Sequence, residues 1–113
     1  MTDDERLTEK ARASIEQAIS VFVSPISLYE ISRKVHRGKW PEMGPYVDRL
    51  PDLLDQQECA IAAMDAVVAT RAGAMAWAHR DPFDRLLAAT ALRFNLPIVS
   101  ADPVFDGVVA RIW

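Results

Sequence analysis

Acidic side chains stand at two junctions of this chain where carboxylates can converge. In the run Arg80-Asp81-Pro82-Phe83-Asp84-Arg85-Leu86-Leu87-Ala88-Ala89, Asp81 is placed to cap a helix and Pro82 suits the first helical position. Asp84 then falls in the first turn, where the positive end of the helix dipole keeps a carboxylate ionised. In Pro97-Ile98-Val99-Ser100-Ala101-Asp102, a short apolar strand leads to Asp102. Ligands of open α/β sheets gather beyond the carboxyl ends of strands, so an acid at a strand exit next to an acid at a helix entrance makes a pocket suited to a metal ion. A further acid, Glu30, lies in a helical stretch whose neighbours Ile26, Tyr29 and Ile31 are expected to pack inward.

Each acid also has an ordinary structural role. Asp81 can serve as an N-cap, Asp84 as a dipole-stabilising first-turn acid, and Asp102 as a turn former before Pro103. Glu30 can pair on the helix surface with Lys34 or Arg33, an arrangement worth a few tenths of a kcal/mol. The combination, more than any single residue, points to chemistry.

The elements that must position these acids follow from periodicity and punctuation. Leu7, Ala11, Ile15 and Ala18 recur at helical spacing and predict an amphipathic helix from Thr8 to about Ile19. Val21-Phe22-Val23 reads as a short buried strand. Ser24-Pro25 opens a helix that runs to about Arg37 and stops at Gly38. Trp40 to Pro45 reads as a connecting loop, and Val47, Leu50, Leu53 and Leu54 suggest a helix interrupted or kinked at Pro51. Glu58 to Ala62 is a weak strand, Met64 to Met75 an alanine-rich helix, and Asp81 to about Asn95 the next. Pro97 to Ser100 forms a strand, Pro103 to Asp106 a turn or short helix, and Val108 to Trp113 a final strand. Short apolar strands alternating with helices predict an α/β fold with a mostly parallel sheet and helices on both faces.

One domain is expected over residues 1–113, because a hydrophobic fraction of 50% against 26% charged residues is enough apolar material for one core. No apolar stretch approaches the roughly 20 residues a membrane span requires, and the acidic start Met1 to Arg6 lacks the basic and greasy pattern of a secretory signal, so a cytoplasmic location without membrane attachment is expected. Cys59 cannot form an internal disulfide and reads as a reduced core thiol. The net charge of −3 gives no global attraction to nucleic acid. With four glycines and no Gly-rich phosphate loop, a nucleotide-handling or phosphatase-like protein has little support.

The segments Phe22-Val23-Ser24-Pro25-Ile26-Ser27-Leu28-Tyr29-Glu30-Ile31, Arg37-Gly38-Lys39-Trp40, His79 to Ala88, Leu96 to Asp102 and the terminal Ile112-Trp113 resemble, in the same order, the PIN-domain ribonuclease toxins of the VapC family. The resemblance implies a three-layer α/β/α sandwich in which clustered acids hold Mg²⁺ or Mn²⁺ for hydrolysis of RNA phosphodiester bonds. Matched residue by residue, Glu30, Asp84 and Asp102 correspond to catalytic, metal-holding acids, Asp81 to an accessory acid and Ser100 to a neighbouring hydroxyl. It further implies a cognate antitoxin protein that neutralises the toxin, and a homodimer. The family's first strand, with its Asp, has no counterpart in this chain, so an N-terminally truncated domain is expected, and Asp3 and Asp4 are poor substitutes because nothing apolar precedes them. A missing central strand leaves backbone groups to be satisfied, by direct pairing of the strands near Val21 and Ile98, by an exchanged strand, or at a cost in stability. A non-catalytic remnant that still binds the antitoxin or dimerises is the alternative function.

RNA contact needs positive charge, and Arg33, Lys34, His36, Arg37 and Lys39 form the densest basic group; Arg33, Lys34 and Arg37 are its candidate RNA-binding residues, with a solvated helix end as the competing role. His36 and His79 are placed outside the acid cluster, in surface or loop roles. Trp40, Trp77 and Trp113 are read as packing residues that could alternatively stack on bases.

Overall fold

The computed structural model describes residues 7–113. The chain is a helix-rich α/β protein, with five α-helices and short strands paired in parallel among the described residues. It divides into two units, one of residues 20–64 and one of the residues up to Ile19 together with Asp65–Trp113. The acidic pair Asp3 and Asp4 lies outside the described residues.

In the unit of residues 20–64, β1 (Phe22–Val23) leads into α2 (Pro25–His36), then a 3-10 segment (Pro41–Arg49), α3 (Leu50–Gln56) and β2 (Ala60–Ile61). β1 and β2 pair in parallel, Phe22 opposite Ala60 and Val23 opposite Ile61. The buried Ser24 starts α2, its hydroxyl accepting the Ile26 N–H at 3.1 Å, and Pro25 occupies the first turn. Two helix ends close in the same way, with crossed bonds from the last turn. At Gly38 (φ 72°) the Gly38 and Lys39 N–H groups reach the Val35 and Lys34 carbonyls, and at Glu58 (φ 60°) the Glu58 and Cys59 N–H groups reach those of Asp55 and Leu54. Glycine takes that left-handed geometry freely, whereas glutamate does so against its own Cβ.

In the other unit α1 (Glu9–Gln17) packs with β4 (Arg111–Ile112), which pairs in parallel with β3 (Ile98–Val99). α4 (Ala66–Ala74) and α5 (Pro82–Phe94) form the most extensive helix contact. Their meeting faces are small: Val68, Ala72, Ala88, Ala89 and Ala91 are buried, so the two backbones approach closely, and the buried Thr90 hydroxyl donates to the Leu86 carbonyl at 2.7 Å. Thr8 caps α1, Asp65 caps α4 with its Oδ1 accepting the Val68 N–H at 2.8 Å, and α5 ends at Asn95 in the left-handed conformation.

Several expectations need correction. The stretch from Trp40 is a 3-10 segment from Pro41 to Arg49 rather than an open loop, since Pro41 and Pro45 fix φ in the helical range while lacking the N–H a longer α-helix needs. Each strand pairs over only two residues. Of the apolar stripe on α1, only Ala11 is buried, and Leu7 and Ile15 stay exposed. Cys59 is half-buried at the edge of β2 instead of in a core. Among the described residues the hydrogen-bonded ladders are β1–β2 within one unit and β3–β4 within the other. No helix among the described residues is long and apolar enough to cross a membrane.

Candidate metal centre

The start of α5 gathers three potential ligands. Asp81, as N-cap, accepts the Phe83 N–H on Oδ1 at 2.9 Å, which fixes its side chain over the first turn. Asp84 projects from that turn, half-buried, and accepts a hydrogen bond on Oδ2 from His79 Nε2 at 2.7 Å. The His79 side chain retains 31% of its exposure and that of Asp84 20%, so solvent and ligands reach both. One ligand atom from each of His79, Asp81 and Asp84 lies within 4.8 Å of the other two.

The imidazole is backed by aromatic packing. The Trp77 ring lies 5.1 Å from that of His79, tilted by 44°, and leans in turn on the buried Phe105 at 6.0 Å. Trp77 is thereby a packing residue, as expected from the sequence. His79, expected in a surface or loop role outside the acid cluster, instead belongs to the acid group. The signal available was its place two residues before a helix cap, which turns the chain back over the first turn. No helical or strand spacing pairs positions 79 and 84, so periodicity gives no hint.

The other predicted site residues are placed as follows. Asp102 is exposed and caps the short 3-10 turn Pro103–Phe105, its Oδ1 accepting the Val104 N–H at 2.9 Å, while its own N–H donates to the Ser100 hydroxyl at 3.1 Å. Ser100 is thus the immediate neighbour of Asp102, and neither belongs to the three-ligand group. Beside them Arg111 forms a two-pronged ion pair with Asp106, Nε to Oδ1 at 2.7 Å and a terminal nitrogen to Oδ2 at 3.0 Å, and also donates to the Ser100 carbonyl. The Arg111 hydrogen bonds hold the Asp106 carboxyl below the usual carboxylate range and push Arg111 itself upward. Glu30 is exposed on α2, in the unit of residues 20–64. Arg33, Lys34 and His36 occupy the last turn of α2 and Arg37 follows it, with the Lys34 ammonium 5.8 Å from the centre of the Trp40 ring. His36 keeps the surface role expected of it, its Nδ1 3.1 Å from the Ser32 carbonyl.

The donor set fits a divalent ion. The two carboxylates suit a hard divalent cation such as Mg²⁺ or Mn²⁺, with water filling the remaining positions and the imidazole nitrogen as a further donor. The family model of the PIN domain matches residues 1–110. The chain belongs to the PIN domain family. PIN domains are generally nucleases acting on RNA or other nucleic acid, typically with a metal ion. No curated protein and no solved structure matches the chain.

Proposed function

We propose that this PIN-domain chain, acting over residues 1–113 as one domain, is a VapC-like toxin: a Mg²⁺- or Mn²⁺-dependent endoribonuclease of the cytoplasm, neutralised by a cognate antitoxin and assembled as a homodimer. The observation that carries the reading is the convergence of His79, Asp81 and Asp84 at the N-terminus of α5 in a chain of this family. A divalent ion bound by clustered carboxylates neutralises charge on the phosphoryl oxygens and lowers the pKa of a bound water, which removes the need for a side-chain nucleophile. In this reading Asp84, Glu30 and Asp102 are the catalytic, ion-holding acids, Asp81 is accessory, and Ser100 steadies the backbone of Asp102. The basic end of α2, with Arg33, Lys34 and Arg37, offers phosphate contacts that place RNA without reading its sequence.

A second reading has one observation in its favour. The three-ligand group holds two carboxylates and an imidazole, and Asp102 is engaged as a cap outside it. A non-catalytic PIN domain that binds an antitoxin or dimerises needs no more than this. RNA cleavage with and without added Mg²⁺ or Mn²⁺ decides between them, run beside a chain carrying both Glu30→Gln and Asp84→Asn. Metal-dependent cleavage lost in the double variant supports the toxin. Equal cleavage by both preparations assigns the activity to a contaminant, and no cleavage by either supports the non-catalytic reading.

A further inference from the structure

We propose that Arg85 is the positioning residue of the His79–Asp84 pair, an inference that draws on the proposed function only for what the pair then does. A guanidinium carries five N–H groups in one rigid plane. In Arg85 each has a carbonyl of its own. Nε donates to Ala72 at 2.9 Å, one terminal nitrogen to Trp77 at 2.7 Å and His79 at 3.0 Å, and the other to Met75 at 2.7 Å and Gly73 at 3.5 Å.

These acceptors come from two places, and of the three on the connection the Met75 carbonyl also accepts the Trp77 N–H at 2.9 Å. Ala72 and Gly73 belong to the last turn of α4, whose carbonyls have no amide further along the helix to receive. Met75, Trp77 and His79 lie on the connection to α5, which has no regular secondary structure. A cation is favoured at such a helix end by the dipole as well as by the lone pairs. One side chain rooted in the first turn of α5 therefore ties down the end of α4 and alternate residues of the segment between the helices.

The segment so fixed is the one that delivers His79. Its carbonyl is held by the same nitrogen that holds the carbonyl of Trp77, and the Trp77 ring supports the imidazole. With backbone and ring both braced, the His79 side chain has two torsions left to place, and Nε2 meets Asp84 Oδ2 at 2.7 Å. Asp84 is the residue immediately before Arg85, so carboxylate and brace share one rigid turn of helix. A lysine cannot take over, since an ammonium is a point donor with three N–H groups and does not span carbonyls arranged around a plane.

The test compares wild type with Arg85→Lys and Asp84→Asn. Far-UV circular dichroism reports the helices, the ¹⁵N shifts of the His79 ring report its contact with Asp84, and Mn²⁺ titration by electron paramagnetic resonance reports the site without reference to catalysis. The expected result is that Arg85→Lys keeps the helical spectrum, moves the His79 ring shifts to those of Asp84→Asn, and weakens Mn²⁺ binding by ~10- to 100-fold, the range for losing a residue that orients a ligand. Wild-type ring shifts and Mn²⁺ affinity in Arg85→Lys would overturn the role. Should that variant not fold, the wild-type side chain decides: separate, slowly exchanging signals for the terminal N–H groups of Arg85 support the four bonds they make, and a single averaged signal overturns them. A wild-type chain that binds no Mn²⁺ counts against the metal-dependent function, and the ring shifts then decide the role of Arg85 alone.

Discussion

Asp81 combines two jobs in one carboxylate, and substitution separates them. It opens α5 by accepting the Phe83 N–H, and it stands in the three-ligand group with His79 and Asp84. Asp81→Asn keeps an oxygen acceptor of nearly equal capping preference and removes the charge, whereas Asp81→Ala removes both. Loss of an N-cap costs about 1 kcal/mol, and loss of a surface charge at a helix N-terminus about 0.5 kcal/mol. Asp81→Asn should therefore be destabilised by about 0.5 kcal/mol and Asp81→Ala by about 1.5 kcal/mol. For a chain of 113 residues, 1 kcal/mol corresponds to about 4 °C in Tm, which gives losses of about 2 °C and about 6 °C. Thermal unfolding followed by circular dichroism in chelator-treated buffer measures the capping part. Mn²⁺ titration of the same proteins measures the ligand part, and both variants should bind more weakly and to a similar degree. Equal Tm values for the two variants would refute the capping argument, and unchanged Mn²⁺ affinity in both would remove Asp81 from the centre.

Other perturbations follow from the same geometry. Glu58→Gly relieves a left-handed residue at the end of α3 and should stabilise the chain by about 1 kcal/mol, seen as a Tm higher by about 4 °C; an unchanged or lower Tm would mean that the strain is absent. The Asp106 carboxyl, held low by its hydrogen bonds from Arg111, and that of Asp65, held low first by the Val68 N–H, contribute stability that is complete above about pH 4 and is lost as the pH falls through their lower folded-state values. Asp106→Asn should flatten the acid limb of a Tm–pH curve below about pH 4, and an identical limb would show that the ion pair has no stabilising role. Replacing Arg33, Lys34 and Arg37 with glutamine should weaken RNA binding and reduce the slope of log K against log salt by about 2, from three lost phosphate contacts on a single strand. A slope that does not move would assign the basic end of α2 to solubility.

What the sequence announced and what it concealed divide along the range of the physics involved. Thr8, Ser24-Pro25 and Asp81-Pro82 marked helix starts, and Gly38 and Asn95 marked helix ends, because caps and turns are settled by a few neighbouring residues. Asp102 was legible as a turn former for the same reason. Strand length was not, since the extent of pairing depends on the partner strand, and runs such as Val21 to Val23 and Pro97 to Ser100 pair over two residues only. The burial of Cys59 and of the α1 stripe was overestimated because apolar character fixes which residues could be buried, not which face finds a neighbour. In the candidate metal centre, Asp81 and Asp84 follow from helix position. The inclusion of His79 depends on how the segment after α4 is held, and that is decided by carbonyls that carry no sequence signature.

Two arginines brace the unit that contains α4 and α5, and they will fail under different conditions. Arg111 grips a carboxylate, so protonating Asp106 or crowding the surface with salt weakens its hold. Arg85 grips five neutral carbonyl dipoles, and neither partner changes charge at any pH a cell experiences. Acid below about pH 4 should accordingly loosen the grip of Arg111 on Asp106, and with it the anchor on the Ser100 carbonyl, while the five bonds from Arg85 to the end of α4 and the segment carrying His79 stay in place.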